Sequence, residues 1–189
     1  MTESPTHDDH APVPGRGCNG CTLCCLVLAV QELAKPALQA CRHCDFGAGC
    51  TIYADRPRQC QTYFCGYLEV PEVPEYWHPL VSHMVLQTVE EPRKLLVHVD
   101  PNAPNSWLVE PYYSDLKRWG GLALERDGRV YVLVRSTTVI MFADRHADLG
   151  VLKGGELIDV VSVPGPDGMK RYAYAKMPNE AHKGPAFWK

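Results

Sequence analysis

The chain has no cysteine beyond Cys65, no excess of positive charge and no long apolar run. Its formal net charge is −3, with a sequence pI near 6.2. Proteins that grip nucleic-acid phosphates carry a basic face and a high pI, so a nucleic-acid partner is not expected. The longest apolar run, Leu23 to Val30 with its two cysteines, falls far short of the roughly 18–20 residues that cross a bilayer, so no membrane partner is expected either. The opening stretch, MTESPTHDDHAPVPGRG, is polar, acidic and proline-rich, unlike the basic start and apolar core of a secretory signal. These absences place the protein in the cytoplasm, where thiols stay reduced. There is also no phosphate loop, dinucleotide fingerprint or serine nucleophile elbow, which removes the commonest signatures of nucleotide and acyl chemistry.

What the chain does have is sulfur in one place. All nine cysteines lie between positions 18 and 65. They read Cys18-x2-Cys21-x2-Cys24-Cys25, Cys41-x2-Cys44, Cys50, and Cys60-x4-Cys65. An odd number in a reducing compartment argues against a disulfide framework. A C-x2-C unit brings two thiolates onto one ion from a tight turn, and four such ligands suit tetrahedral zinc or an iron–sulfur cluster. All nine are therefore candidate metal ligands, with zinc the first choice and iron or an iron–sulfur cluster the alternative. Zinc needs no assembly machinery and suits four thiolates. Cys24 and Cys25 are neighbours whose side chains diverge in helix or strand. They serve two separate centres, or one is a ligand and the other only supports it. Eight thiolates would make two four-coordinate sites with one left over, and nine could bridge three ions. Basic residues outnumber acidic ones here (Arg16, Lys35, Arg42, Arg56 and Arg58 against Glu32, Asp45 and Asp55), a balance that can offset thiolate charge.

Two stretches carry a family resemblance. Cys18-Asn19-Gly20-Cys21-Thr22-Leu23-Cys24-Cys25 resembles the CxxCxxCC signature of the YkgJ-like cysteine-cluster family, a zinc- or iron-chelating domain. The block Gly49-Cys50-Thr51-Ile52-Tyr53-Ala54-Asp55-Arg56-Pro57-Arg58-Gln59-Cys60, followed by Phe64-Cys65, is similar to that family's second motif, and Cys44 matches the cysteine before it. The resemblance covers about residues 16–70 and implies metal chelation without a settled reaction. Cys41 is additional to the eight cysteines of the pattern, either a subgroup feature or a spare thiol. One relative, the flagellin lysine N-methylase, carries a similar cluster; no glycine-rich loop suited to S-adenosylmethionine occurs here, so its activity is not carried over. Within the matched block we read Pro57 as fixing a turn, Tyr53 as packing over the site and Arg56 as bonding carbonyls or sulfurs.

The expected organisation is a tail (1–15), a cysteine-rich chelating module (16–70) and a small α+β domain (71–189). The fold class is α+β, a loop-rich metal-binding module packed on a mostly antiparallel sheet with one or two helices. Few apolar periods occur in the module, so metal is expected to contribute to its folding. Residues 71–80, with three prolines, read as a connector. Met84–Val89 and Leu95–Val99 read as paired strands. Tyr112, Leu116 and Trp119 mark a helix face that Gly120-Gly121 should stop. Leu122–Glu125 and Val130–Val134 read as a hairpin about Asp127-Gly128. Thr138–Phe142, Leu157–Val163 and Tyr172–Tyr174 complete the strands, with 164–168 as a turn; Phe187 and Trp188 could tuck back.

Weaker candidates remain. His98 and Asp100, with His83 or His146, could form a two-histidine, one-carboxylate site. His78 and His83 read as surface or connector residues, and His7, Asp8, Asp9 and His10 as a solvated tail. Ser114, Asp115 and His182 make a paper triad, and Cys41 is the best candidate for a free nucleophile. Trp107, Tyr112, Tyr113 and Trp119 read as core. Beyond the metal ion, a protein partner or a small-molecule ligand on the α+β surface is possible, and neither an enzyme nor a redox role is assigned.

Overall fold

A computed structural model describes residues 12–90, 92–152, 156–164 and 170–178. The fold is α+β, as expected. Its centre is a five-stranded sheet of β3 (Met84–Val89), β4 (Lys94–Val99), β5 (Arg129–Val134), β6 (Thr137–Met141) and β7 (His146–Gly150), in that spatial order. Neighbours are antiparallel except β4 and β5, which run parallel. A parallel pair needs a crossover, and α5 (Tyr112–Glu125) supplies it. Alternation along the strands builds two apolar faces. Val97, Val99, Val130, Val132, Val139 and Met141 pack with Tyr112 and Leu116 of α5. Tyr131, Ile140, Phe142 and Leu149 face the other way, against a separate hairpin of β8 (Glu156–Pro164) and β9 (Lys170–Pro178).

The strands expected at 84–89, 95–99, 130–134, 138–142, 157–163 and 172–174 are all present, and β7 is an addition. Two expectations about α5 fail. Gly120-Gly121 does not stop the helix, which continues to Glu125. These glycines allow close approach instead: a Cβ on Gly120 would lie 2.7 Å from the Met141 carbonyl oxygen. Consequently Leu122–Glu125 is the last turn of the helix and not a hairpin strand. Asp127, in the left-handed region at φ 57°, ends the helix, and Gly128 donates to the Ala123 carbonyl at 2.7 Å. The expected turn at 164–168 falls almost wholly outside the described residues. The tail histidines and aspartates, His182, Phe187 and Trp188 lie outside them too.

The cysteine-rich region straddles the edge strand β3. It holds α1 (Leu23–Val27), the two-residue strands β1 (Cys44–Asp45) and β2 (Gly49–Cys50), α2 (Arg58–Thr62) and α3 (Gly66–Glu69). On one face of β3, Leu23 and Val27 of α1 pack on Val85. On the other, Tyr67 and Leu68 of α3 join the main core with Leu86. A Cβ on Gly66 would sit 2.9 Å from Leu86 Cβ, so glycine lets α3 dock this closely. Tyr63 completes the clasp by donating its hydroxyl to the Leu86 carbonyl at 3.4 Å. Covering an edge strand in this way removes a template for unwanted pairing. The segment 71–80 is no loose connector: Trp77 is fully buried, and α4 (Pro79–Ser82) follows it directly. Among the described residues no helix is long and apolar enough to cross a membrane.

Candidate metal centre

Two sets of thiols emerge from this wrapping. All nine cysteines are unpaired. Cys18, Cys21, Cys24 and Cys65 line one small cavity of about 50 Å³, together with Tyr63, Tyr67, His78 and Val85. Long-range bonds bring the ends of this set together. Val13 donates to the Leu68 carbonyl at 2.7 Å. Arg16 donates to the carbonyls of Tyr67 at 2.6 Å, Val70 at 2.9 Å and Val73 at 2.7 Å, and its guanidinium lies over the Tyr67 ring. Cys18 is thereby pinned beside the start of α3, where Cys65 stands. Cys21 follows through a turn in which its amide donates to the Cys18 carbonyl at 2.7 Å.

Cys25, Cys41, Cys44, Cys50 and Cys60 make the second set. The Cys41 amide donates to the Cys25 carbonyl at 3.0 Å, and that of Cys44 to the Cys41 carbonyl at 3.0 Å. Cys44 and Cys50 are Cα partners across the β1–β2 ladder. Glu32 accepts from the amides of Arg58 at 3.2 Å and Gln59 at 2.7 Å, while the Gln59 side chain reaches the Ala29 carbonyl and the Gln31 amide. These polar ties hold α2, and with it Cys60, against the loop after α1. At the centre sits Lys35, only 7% exposed, its ammonium donating to the carbonyls of Leu26, Leu28 and Pro36. Burial works against its charge and lowers its affinity for the proton, with Cys41, Cys25, Cys24 and Cys60 opposing that shift.

Burial dominates the thiol electrostatics. It pushes Cys21 up to about 11, against an opposing N–H from Leu23. Burial likewise raises Cys65, although the amides of Leu68 and Tyr67 favour its thiolate. Cys18, at the exposed rim, is raised by burial and by Cys25, with Arg56 opposing. Cys44 is pushed up to about 11 and Cys60 is raised, both chiefly by burial. Cys25 is the exception. The Cys24 thiol hydrogen-bonds it, and with Cys44 and Lys35 assisting against burial it falls to about 6, while Cys24 is driven up by the same bond. The pattern is one thiolate-ready sulfur surrounded by thiols that need a cation before they ionise. A coordinated cation supplies that, since a ligating thiol is deprotonated outright.

The donor set fits a thiolate-bound metal in kind: four sulfurs about one cavity, N–H groups directed at two of them, and a buried cation beside the second set. Among the described residues, no three His, Cys, Asp or Glu side chains meet at metal-bonding distance. The sulfurs are gathered but not closed, and zinc–sulfur bonds of about 2.3 Å require them to turn inward.

The other candidates disperse. His98 bonds Gln87 at 2.7 Å, His83 lies 3.5 Å from Asp100, and His146 bonds the Tyr113 hydroxyl at 2.9 Å. They do not form one site. Asp115 is structural, accepting from Tyr76 at 2.7 Å, Trp77 at 2.9 Å and Arg118 at 3.0 Å. Trp107 and Tyr112 are buried, with Tyr113 and Trp119 packed against the same core. Arg56 bonds the carbonyls of Tyr53 at 2.8 Å and Cys60 at 3.3 Å, as expected. Tyr53 does not pack over the site: it is 65% exposed and stacks on Arg56 at 4.0 Å. Sequence reasoning placed Lys35 only among five cations and set His78 aside. Burial distinguishes the first and a shared cavity the second, and neither is a local sequence signal. Comparison with protein-family models, curated proteins and solved structures finds no match to this chain.

Proposed function

We propose that this is a thiolate metal-binding protein whose cysteine-rich region is ordered by its ion. The observation that carries the reading is the cavity walled by Cys18, Cys21, Cys24 and Cys65. The second set about Lys35 supports it, as does the resemblance of residues 16–70 to the YkgJ-like cysteine-cluster family. Zinc is the ion we assign first, because it takes four thiolates tetrahedrally without redox chemistry or assembly machinery. A filled four-thiolate shell gives the metal a structural role, because catalytic zinc keeps a position for water. The sheet surface then carries any contact with a protein partner or small ligand, and we place the protein in the cytoplasm.

Elemental analysis of protein purified without oxygen tests this. At least one zinc per chain is expected, with thiols that react with a maleimide only after chelation. A metal-free, well-folded chain ends the proposal. The alternative is an iron–sulfur redox or sensor centre, favoured by N–H donors on Cys21 and Cys65 of the kind that tune cluster potentials. Iron with inorganic sulfide, and visible absorption that bleaches with dithionite, would select it over zinc.

A further inference from the structure

We propose that Cys18, Cys21, Cys24 and Cys65 form a metal centre separate from that of the remaining cysteines, and that His78 serves it as an N–H donor to sulfur and not as a ligand. This rests on the thiolate-binding reading above and adds a division of ligands and a role for a residue outside the cysteine motifs.

The division follows from local geometry. Cys24 and Cys25 are consecutive residues of the short helix α1, where successive side chains point about 100° apart. Cys24 lines the cavity at the edge of β3, while Cys25 contacts Cys44 and shares a backbone bond with Cys41. Cys65 closes the cavity from the residue before α3, packing against both the α1 cluster and the main core. Neither Cys25, Cys41, Cys44, Cys50 nor Cys60 lines it. The Cys24 thiol now donates to the Cys25 sulfur across the seam between the sets.

His78 lines the same cavity, and its Nε2 is buried with no hydrogen-bond partner among the described residues. The ring is fixed from several sides. It packs edge-on against Tyr67 with centroids 4.9 Å apart, and its carbonyl accepts from Ser82. Its Nδ1 accepts the Leu80 amide hydrogen at 3.2 Å and so caps α4. That bond sets the tautomer. With Nδ1 accepting, the neutral ring carries its hydrogen on Nε2. A ligating Nε2 would need that hydrogen on Nδ1, where the Leu80 N–H already points. Within the cavity His78 is thus a donor seeking an acceptor. A thiol sulfur is a weak acceptor, whereas a metal-bound thiolate is a charged one. Leu23, Tyr67 and Leu68 already offer backbone N–H groups to Cys21 and Cys65. His78 adds a side-chain donor to a centre whose four thiolates and one dication leave a net charge of −2.

Two measurements test this. The cadmium-loaded protein should give two cadmium-113 resonances with all-sulfur shifts and no cadmium–cadmium coupling. Coupling, which needs a shared thiolate, overturns the division. Cys24→Ser and Cys65→Ser should each remove the same resonance and Cys25→Ser the other. Loss of one common resonance from Cys24→Ser and Cys25→Ser also overturns it. His78→Leu should keep both resonances and their sulfur shifts but speed release of the first ion to a chelator about 10–100-fold. His78→Gln, which keeps an N–H donor, should recover most of that loss. An unchanged release rate in His78→Leu, or a nitrogen-ligand shift in the wild type that His78→Leu abolishes, overturns the donor role. A wild-type protein that binds no metal would instead defeat the function proposed above, which separates the two failures.

Discussion

The two halves of this molecule are ordered by different means. From residue 66 to 150, twenty-one apolar side chains are buried, Trp77, Phe142 and Leu116 among them; from 12 to 65 only Leu23, Val27 and Val30 are. At about 1.5–3 kcal/mol for each buried side chain, three contribute little against the cost of fixing some fifty residues in loops and single-turn helices. The cysteine-rich half compensates with polar ties: Arg16 to the 67–73 carbonyls, Glu32 and Gln59 between α1 and α2, and Lys35 in a ring of carbonyls. Such ties fix geometry but contribute only about 0.5–1.5 kcal/mol each. The contrast teaches where a missing term lies. The sheet half is stabilised from within, and the cysteine half leaves a deficit that sulfur–metal bonds can meet.

The sharpest way to break this comparison is to remove metal. A structural zinc contributes roughly 10–16 kcal/mol to folding. Chelation under reducing conditions should therefore open residues 18–65 to protease while the β3–β7 sheet stays protected. Mass mapping of the first cleavages reads this directly, and cleavage confined to the sheet, or none at all, would contradict it. Next in size, Gly120→Ala probes the sheet half alone. In an exposed helix this change would gain up to about 1 kcal/mol. Here the new methyl would lie 2.7 Å from the Met141 carbonyl. The clash should win, costing about 1–3 kcal/mol in urea unfolding, with metal content unchanged.

The halves also differ in how far they could be read from residue order. Alternating apolar residues marked β3, β4, β6 and β8 correctly, because burying one strand face leaves a period of two. Glycine misled at positions 120 and 121, since a residue chosen for close packing looks the same as one chosen to stop a helix. Asp127-Gly128 misled for a similar reason: a left-handed turn can end a helix as readily as it joins two strands. In the cysteine half the clustering of thiols was plain, but their grouping in space was not. The C-x2-C spacing joins Cys18 to Cys21 through a tight turn. Only the docking of α3 through Gly66 brings Cys65 to them, and only the β1–β2 ladder brings Cys50 to Cys44.

Lys35→Met sharpens the comparison from the cysteine side. The methionine keeps the apolar stem but removes the buried ammonium among Cys24, Cys25, Cys41 and Cys60. Retention of the ion held by the second set should weaken roughly tenfold, while the cavity set beside β3, which Lys35 reaches only through Cys24, should weaken less. Competition against a coloured chelator measures both. Equal weakening of the two would show that Lys35 supports the whole module and not one set.

The last comparison belongs to the sheet and appears only in acid. His98 on β4 bonds Gln87, and its Cα partners on the flanking strands are Val85 and Leu133. Desolvation lowers it to about 4, from 6.5. Between those values the unfolded chain binds a proton that the folded chain refuses. Its contribution is therefore fully present above pH 6.5 and is lost as pH falls toward about 4. His98→Leu should flatten that part of the stability curve, read from tryptophan fluorescence, since Trp77, Trp107 and Trp119 all report on the core packed against the sheet's other face. Acid also strips metal from thiolates, so the wild-type slope alone mixes both halves. The difference between wild type and His98→Leu isolates the share of His98. If the two curves run parallel from pH 7 to 4, His98 contributes nothing to the acid sensitivity.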